Sequence, residues 1–362
     1  MCGSCGYVCR TFYDSKMRHV RDLSCGNRRV FLSARIRRVR CSSCQAVKHE
    51  SLEWLAANPH YTKRFAKEVG ERCRDATIKS VATSFRLDWE TVKELDKEYM
   101  RDQMKKAGHP APEKIGVDEI SVQKGHHYRV VVSDLERRRA IWFGGKGKSK
   151  KDLDLFFQEN GEKRNDKISL VAMDMSQAFQ LSVKEHVPEA VLLFDKFHVM
   201  QKLCDALDEV RKLEYQRLTG NERIFVKGQK YVLLRNRENL DLKGRRSLAL
   251  LLKANKRLQI AYLLKESFDQ FWTYRSPAWA RKFFELWKES LKWQRLKPLE
   301  EFAAMVERHW NGIIAHLGLK DIPLGFVEGL NNKIRVFQRR AYGLRDEEYL
   351  RLKVLTCMLP KL

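Results

Sequence analysis

The order of apolar segments between residues 114 and 195 constrains the fold more than any other feature of the sequence. Five segments have the length and the β-branched or aromatic content of strands: residues 114–121, 127–133, 139–143, 168–173 and 190–194. Short turns join the first three, which predicts antiparallel hairpins. A helical pattern after Ser149 separates the third strand from the fourth, and a second helix over residues 178–186 separates the fourth from the fifth.

Acidic residues interrupt or end three of these strands. Asp118 lies within the first, Asp174 follows the fourth and Asp195 follows the fifth. Three antiparallel strands, then a helix, a strand, a helix and a strand, is the order of an RNase-H-like fold, in which the first and fourth strands are neighbours. We therefore expect the carboxylates of Asp118 and Asp174 to converge. Asp195 is the main alternative to Asp174, whereas Glu119 points to the opposite face of its strand from Asp118.

A basic helix near the C-terminus supplies a third acid. Leu330, Ile334 and Phe337 recur at helical spacing. Glu328 is the first acid of this run, and the basic residues Lys333, Arg335, Arg339 and Arg340 line much of the remaining surface. Glu328 either completes the N-terminus of the helix, where negative charge is favoured, or it holds a metal while the basic side chains hold a polyanion.

Three carboxylates from Asp118, Asp174 and Glu328 suit two Mg²⁺ (or Mn²⁺) ions, which are hard cations that prefer oxygen ligands. Two such ions clamp the attacking and leaving oxygens of a phosphoryl transfer. The alternative is that each acid is a helix cap or a surface charge. That alternative fits Asp118 and Asp174 less well, because both interrupt apolar strands.

Two Cys-x-x-Cys pairs begin and end the N-terminal segment. Cys2 with Cys5 and Cys41 with Cys44 give four thiolates that can bind one structural Zn²⁺ tetrahedrally, although the 35 residues between the pairs exceed the gap of commoner zinc ribbons. The alternative is a set of unpaired thiols, but a module so short needs a stabilising cross-link such as a bound metal ion. Cys9 and Cys25 lie outside the paired spacing, so they are not predicted as ligands.

The residues between the two cysteine pairs predict strands over 28–32 and 34–40. The second alternates apolar and basic residues, which places its arginines on one face of a half-buried strand: Arg35, Arg37, Arg38 and Arg40. We expect these arginines to contact DNA.

Residues 50–106 predict helices with helix-turn-helix spacing. One amphipathic helix runs to about Phe85, a short turn follows, and Asp88 N-caps a second helix that carries Val92 and Leu95. The second helix is the candidate reader of the DNA major groove, through Thr91 and Lys93. An ordinary helical hairpin is the alternative.

The composition favours a polyanionic partner. Of the 362 residues, 71 are Lys or Arg and 46 are Asp or Glu, so the formal net charge is +25. Nucleic acid is the first expectation, and an anionic membrane surface is the weaker one. The sequence has no apolar run long enough to span a bilayer and no secretory signal. A cytoplasmic, reducing compartment follows, in which nine cysteines are thiols or metal ligands.

The chain therefore divides into five predicted segments. They are a zinc module at 1–48, a helix-turn-helix domain at 50–106, the first part of the catalytic core at 113–199, a helical insertion at 200–320 and a C-terminal helical part of the core at 321–362. The fold class is multidomain, α+β and α/β. The insertion contains five tryptophans that we expect mainly in its core: Trp272, Trp279, Trp287, Trp293 and Trp310.

These motifs, in this order, resemble the DDE transposases of bacterial insertion sequences in the ISL3 group. The resemblance covers nearly the whole chain, and its motifs are the two cysteine pairs, the helix-turn-helix at 78–92, and residues 116–119, 174–179, 195–198, 328–334 and 339–343. It implies an RNase-H-like catalytic domain with a helical insertion. It also implies a metal-dependent triad of Asp118, Asp174 and Glu328, with Asp195 and His198 as accessory residues.

The predicted function is that of a transposase, acting on double-stranded DNA as a homo-oligomer. The N-terminal modules bind the terminal inverted repeats, and the acids cleave the element ends and join them to target DNA. Lys333, Arg339 and Arg340 hold the DNA near the acids. Two alternatives stay open: a DNA-binding regulator that makes no use of the acids, and a nuclease without strand transfer. Acids in all three motifs favour the enzyme.

Overall fold

A computed structural model describes residues 1–123, 125, 127–319 and 322–362. It contains an N-terminal three-stranded sheet, three helices, and a five-stranded mixed sheet with helices on both faces and a helical insertion. The fold class predicted from the sequence is therefore confirmed. None of the helices within these ranges combines the length and the apolar character needed to cross a membrane.

The N-terminal sheet is antiparallel, in the order β1-β2-β3. Its strands are β1 (Asp14–Cys25), β2 (Arg28–Cys41) and β3 (Ala46–His49). The two strands predicted over 28–32 and 34–40 are one continuous strand, because Ser33 keeps its place in the ladder opposite His19. Strand β1 was not predicted, since charged residues interrupt its apolar pattern.

Three helices follow: α1 (Lys63–Asp75), α2 (Ile78–Phe85) and α3 (Trp89–Ala107). The predicted helix-turn-helix spacing is confirmed. Asp88 N-caps α3 by accepting hydrogen bonds from the backbone N–H groups of Glu90 (2.8 Å) and Thr91 (3.2 Å). Val92 and Leu95 are buried against α1 and α2, as the apolar spacing predicts.

The main sheet has the strand order β6-β5-β4-β7-β8. Its strands are β4 (Lys114–Gln123), β5 (His127–Asp134), β6 (Arg139–Gly144), β7 (Leu170–Met173) and β8 (Val191–Phe194). The first three pair antiparallel, and β4-β7 and β7-β8 pair parallel. The sequence predicted all five strands within about two residues at each end.

Helices cover both faces of this sheet. On one face lie α4 (Lys150–Asn160), the single turn α5 (Glu162–Asn165) and α6 (Gln177–His186), packed on the side of Val130 and Val132. On the other lie α15 (Leu324–Arg340) and α16 (Glu347–Thr356), packed on the side of Val131. The alternation of Val130, Val131 and Val132 between two apolar clusters follows from the period of two along a strand.

The insertion between β8 and α15 is helical, as predicted. Its helices are α7 (Lys196–Arg217), α8 (Gly220–Gly228), α9 (Lys230–Leu234), α10 (Leu242–Ala254), α11 (Lys256–Phe268), α12 (Pro277–Glu289), α13 (Lys297–Arg308) and α14 (Trp310–Gly318), with 3-10 turns at Arg237–Asn239 and Asp269–Thr273. Helix α7 starts directly after β8 and runs without a break through the predicted boundary at 199/200.

The tryptophans of the insertion are only partly in its core. Trp287 is buried, and Trp272 and Trp310 pack at the edge of the core. Trp279 is 60% exposed and Trp293 is 89% exposed, so the prediction of a core position is wrong for these two. Trp279 lies on an outward-facing position of α12, and Trp293 lies in the turn between α12 and α13.

Candidate functional site

Three aspartates lie at one edge of the main sheet. In the ladder between β4 and β7, Gly116 is opposite Ala172, and between β7 and β8, Met173 is opposite Phe194. Two residues further along the β4-β7 register, Asp118 is opposite Asp174. One residue further along the β7-β8 register, Asp174 is opposite Asp195. The three aspartates therefore lie at the same level on neighbouring strands. This common level agrees with the strand order from which the sequence predicts that Asp118 and Asp174 converge.

Asp118 is half-buried and held on two sides. Its Oδ1 accepts a hydrogen bond from the backbone N–H of Glu119 (2.8 Å), and its Oδ2 accepts one from Nδ2 of Asn331 (2.5 Å). Burial raises the pKa of Asp118 above its ordinary value. The nearby carboxylate of Asp174 acts in the same direction, whereas the hydrogen bonds from the backbone N–H of Glu119 and from Asn331 act against it.

Helix α15 reaches this edge because β4 has a glycine there. A Cβ atom on Gly116 would lie 2.8 Å from Cγ2 of Val327, so a larger residue would keep α15 away from the strand. Asn331 is one helical turn beyond Val327 and is buried, with its Oδ1 unpaired among the described residues. No role for Asn331 was predicted from the sequence. The available signal was its spacing of three residues from Glu328, which places both on neighbouring positions of a helix.

Glu328 lies in the second turn of α15. The helix starts at Leu324 rather than at Glu328, so completing the helix N-terminus is no longer an explanation for this acid. Glu328 is exposed, on the side of the helix that carries Asn331. Among the residues that the structure describes, no three His, Cys, Asp or Glu side chains other than four cysteines have their ligand atoms within 4.8 Å of one another. Asp118, Asp174 and Glu328 therefore do not form a closed cage of ligand atoms.

Asp174 and Asp195 each begin the segment that follows their strand. Oδ1 of Asp174 accepts a hydrogen bond from the backbone N–H of Ser176, and Oδ1 of Asp195 accepts one from that of Phe197, both at 2.9 Å. Asp195 is the N-cap of α7. Asp195 was predicted as the main alternative to Asp174. The two residues occupy equivalent positions, each directly after one of two adjacent strands.

Lys148 is a cation at the acidic edge that the sequence did not single out. It forms an ion pair with Glu119 and lies over the ring of Tyr128, with Nζ 3.7 Å from the ring centroid. Burial lowers the pKa of Lys148, but the carboxylate of Glu119 outweighs burial and raises it, with a further contribution from Asp174. The signal available in the sequence was the basic loop of residues 144–148.

The four predicted zinc ligands form a compact cluster. Sγ of Cys2 is 4.0 Å from Sγ of Cys44, and Sγ of Cys5 is 3.5 Å from Sγ of Cys41. A tetrahedral zinc ion with Zn–S bonds of about 2.3 Å separates its sulfurs by about 3.8 Å, so the cluster fits one ion. The backbone N–H of Tyr7 lowers the pKa of Cys5 to about 6, which favours the thiolate that binds zinc.

The arginines of β2 do not share one face. The doublet Arg37-Arg38 breaks the alternation, so Arg35 and Arg37 point to one face of the strand while Arg38 and Arg40 point to the other. Arg35, Arg37 and Arg40 are exposed, whereas Arg38 is half-buried and forms an ion pair with Asp14. The prediction of a single basic face is therefore wrong.

The start of α3 is exposed at Trp89 and half-buried at Thr91. Lys93, predicted as a DNA contact, forms an ion pair with Asp346 at the N-cap of α16 (2.7 Å). A role of Lys93 in reading DNA requires that this pair opens.

The basic residues of α15 lie on two different sides of the helix. Arg335 and Arg339 are seven and eleven residues after Glu328 and share its side. Lys333 is five residues after Glu328, roughly 140° around the helix axis, and Arg340 lies two turns beyond Lys333 on the same side. Only the first pair therefore faces the acidic edge.

Comparisons with known proteins agree over the full length. Residues 115–354 match a family of transposases named for ISL3, residues 50–100 match the helix-turn-helix domain of the ISL3 transposase family, and residues 1–44 match the zinc finger of the IS204, IS1001, IS1096 and IS1165 transposases. The chain belongs to the ISL3 family of transposases. The family named from the sequence motifs is therefore confirmed.

Two relatives show how far the similarity extends. The transposase of insertion sequence IS1001 from Bordetella parapertussis is 34% identical, over 98% of this chain and 87% of that protein. The transposase of IS1557 from Mycobacterium tuberculosis is 29% identical, over 96% of this chain and 83% of that protein. A DNA-processing enzyme with a zinc ribbon is the function that membership of this family implies.

Proposed function

We propose that the chain cleaves DNA at the ends of its insertion sequence and joins those ends to target DNA, with Asp118, Asp174 and Glu328 as the catalytic acids. The observation that supports this most is the common register of Asp118 and Asp174 on neighbouring parallel strands. Asp118 places a charge within an apolar strand, and Asp174 places one directly after the buried strand β7.

The residues at this edge suit a hard divalent cation such as Mg²⁺. Two carboxylates lie side by side, and the buried Oδ1 of Asn331 has no hydrogen-bond partner among the described residues. Oxygen donors of this kind are what Mg²⁺ prefers. Asp118 and Asp174 would hold the ions with Glu328, and bound ions would acidify a water molecule and stabilise the charge of the transferring phosphate.

The protein groups around the acids have separate roles in this proposal. Asn331 fixes the orientation of Asp118 through one hydrogen bond, so the carboxylate keeps one rotamer before DNA arrives. Lys148 is held by Glu119 on the other face of β4 from Asp118, and its positive charge would attract the DNA backbone towards this edge of the sheet. Arg335 and Arg339 extend the positive charge along the side of α15 that carries Glu328.

Recognition of the element ends is assigned to the N-terminal modules. The start of α3 would enter the major groove, with Thr91 contacting bases and with Lys93 joining it only where the ion pair with Asp346 opens. Arg35, Arg37 and Arg40 would bind phosphates, which positions the DNA without reading its sequence. A homo-oligomer on DNA would bring the two ends of the element together.

The decisive test is cleavage of DNA that carries the cognate element ends, with and without Mg²⁺. Asp118→Ala, Asp174→Ala and Glu328→Gln should each reduce cleavage and strand transfer by orders of magnitude, because loss of one ligand misplaces the reacting groups. Affinity for the element ends should change little, since the acids hold metal rather than DNA. The losses should not add in a double variant, because the acids act as one unit.

Asp195→Asn is the matched control, because Asp195 lies at the same level on the adjacent strand and caps a helix. It should retain metal-dependent cleavage. If Asp195→Asn is inactive and Asp174→Ala cuts normally, the second acid is Asp195. If all four variants cut normally, the chain is not an enzyme of this kind. Cleavage without joining to target DNA would identify a nuclease.

A further inference from the structure

A deep cleft separates the helix-turn-helix from the C-terminal helices. Its volume is about 1000 Å³, and its walls are the α1–α2 turn and α3 on one side and α15, the following turn and α16 on the other. This volume is at the upper limit of small-ligand pockets, so the cleft admits a few nucleotides of one strand rather than a duplex.

The cleft is strongly basic. Six of its basic side chains form no ion pair with any residue that the structure describes: Arg74, Lys79, Lys333, Arg340, Arg345 and Lys361. The two acids that could offset them are already paired, since Asp346 binds Lys93 (2.7 Å) and Asp96 binds Lys353 (2.7 Å). The remaining acid on the wall, Asp75, leaves a large excess of positive charge. Such a cleft attracts a polyanion.

Aromatic side chains are exposed at this cleft. Tyr342 is 98% exposed, in the turn between α15 and α16, and Trp89 on the facing wall is 55% exposed. The backbone of Tyr342 has φ +52°, a left-handed conformation that costs a tyrosine about 1–2 kcal/mol. The ring of Tyr342 is therefore free of the protein core and available to stack on a ligand in the cleft.

We propose that the cleft binds a few unpaired nucleotides at the end of the element, with the ring of Tyr342 stacking on a base. A positively charged groove with exposed aromatic rings is the combination that binds single strands, because every base presents a π-face and every nucleotide a phosphate. The transposase therefore separates the strands next to the site of cleavage. This proposal rests on the proposed function.

Helix α15 explains how the two strands are divided. The side with Glu328, Arg335 and Arg339 faces the acidic edge of the sheet. The side with Lys333 and Arg340 lines the cleft. One strand of an opened duplex can therefore approach the acids while its complement enters the cleft across the same helix.

The test measures DNA binding by the full chain with fluorescence anisotropy. Three probes are used: a single-stranded oligothymidylate, a blunt duplex of the element end, and the same duplex with mismatched terminal base pairs. Tyr342→Ala should weaken binding of the oligothymidylate and the mismatched duplex by about 5- to 150-fold, which is the range for stacking one base on one aromatic ring. Binding of the blunt duplex should stay within twofold or so of the wild type.

Two control variants isolate the aromatic ring. Tyr342→Phe keeps the stacking surface and should bind all three probes as the wild type does. Tyr231→Ala removes a tyrosine that is 75% exposed in the helical insertion, away from the cleft, and should change nothing. A base analogue such as 2-aminopurine at the mismatch should lose fluorescence with the wild type and Tyr342→Phe, but not with Tyr342→Ala.

Two results overturn the proposal. One is that Tyr342→Ala binds oligothymidylate as tightly as the wild type. The other is that Tyr342→Ala loses as much affinity for the blunt duplex as for the single strand, which would show that Tyr342 contacts paired DNA. Failure of the proposed function gives a different pattern: Tyr342-dependent single-strand binding persists, but the Asp118 and Asp174 variants cut normally.

Discussion

Substitution of Gly116 by alanine tests whether the contact between β4 and α15 positions the catalytic acids. The added Cβ would lie 2.8 Å from Cγ2 of Val327, 2.8 Å from Oγ of Ser133 and 2.9 Å from Cδ2 of Leu135. Each distance must open to at least 3.4 Å to become an ordinary contact. Because strand β5 holds Ser133 in the sheet, α15 is the element that moves.

The expected size of the effect follows from this crowding. Overpacking of a well-packed contact costs about 1–3 kcal/mol of folding free energy. A shift of α15 also displaces Asn331 and Glu328 relative to Asp118, and misplacement by about 1 Å costs roughly 100-fold in rate. Gly116→Ala should therefore lower the midpoint of urea-induced unfolding and reduce cleavage by about two orders of magnitude.

Gly329→Ala is the matched control for stability, because nothing lies within 4 Å of a Cβ at that position of the same helix. It should be neutral or stabilise the protein by about 0.5–1 kcal/mol. Val327→Ala combined with Gly116→Ala should recover part of the stability and activity, since it removes one clashing atom. If Gly116→Ala unfolds at the wild-type midpoint and cuts at the wild-type rate, the packing of α15 on β4 does not position the acids.

The remaining predictions concern the N-terminal modules. Cys41→Ser should lose zinc and weaken binding of the element ends, and metal analysis of purified, reduced protein showing no zinc in the wild type would contradict it. Asp22 is buried between β1 and α1, where Arg64 holds the pKa of its carboxyl below the ordinary value of 3.8. The ionised Asp22 therefore stabilises the folded state above about pH 4, and this stabilisation is lost as the pH falls through the lower pKa that Asp22 has in the folded state. Asp22→Asn should lower the free energy of unfolding at pH 7 by about 1–3 kcal/mol, measured by urea unfolding. The difference in this free energy between variant and wild type should shrink in acid; a difference that is the same at every pH would contradict this. Lys97→Met should leave Asp346 (3.0 Å) and Glu348 (3.1 Å) without a shared partner, so hydrogen exchange at the start of α16 should accelerate; unchanged exchange would show that this ion pair does not hold α3 to α16.

The sequence predicts the central sheet well because its signals are local. Apolar runs, short turns and helical periods between them determine both the strands and their direction, and the acids at the strand ends follow from the same pattern. The cysteine cluster is equally accessible, since spacing and ligand chemistry define it without knowledge of the intervening chain.

Features that depend on contacts distant in sequence were not predictable. The hydrogen bond from Asn331 to Asp118 joins residues 213 positions apart. The start of α15 was misplaced because Pro323 and Gly325 suggest an interruption, yet the helix begins directly after the proline. In β1, Arg21 and Asp22 are buried polar residues, and the carboxylate of Asp22 accepts hydrogen bonds from Thr62, the N-cap of α1, and from Arg64 of α1. Buried polar residues of this kind interrupt the alternation of apolar and polar residues from which a strand is predicted.

The insertion separates Asp195 from Glu328 in sequence but is fixed to the sheet at both ends. Asp195 caps α7 at one end, and at the other α14 lies against β8, where a Cβ on Gly312 would be 2.4 Å from the ring of Phe194. The two ends of the insertion therefore leave and rejoin the same strand. Because both anchors are on β8, changes within the insertion need not move α15. The position of α15 is set by two residues of β4: Gly116, which lies against Val327, and Asp118, which accepts a hydrogen bond from Asn331. Two of the proposed catalytic acids, Asp118 and Glu328, are thus positioned through β4, whereas the insertion is anchored on β8.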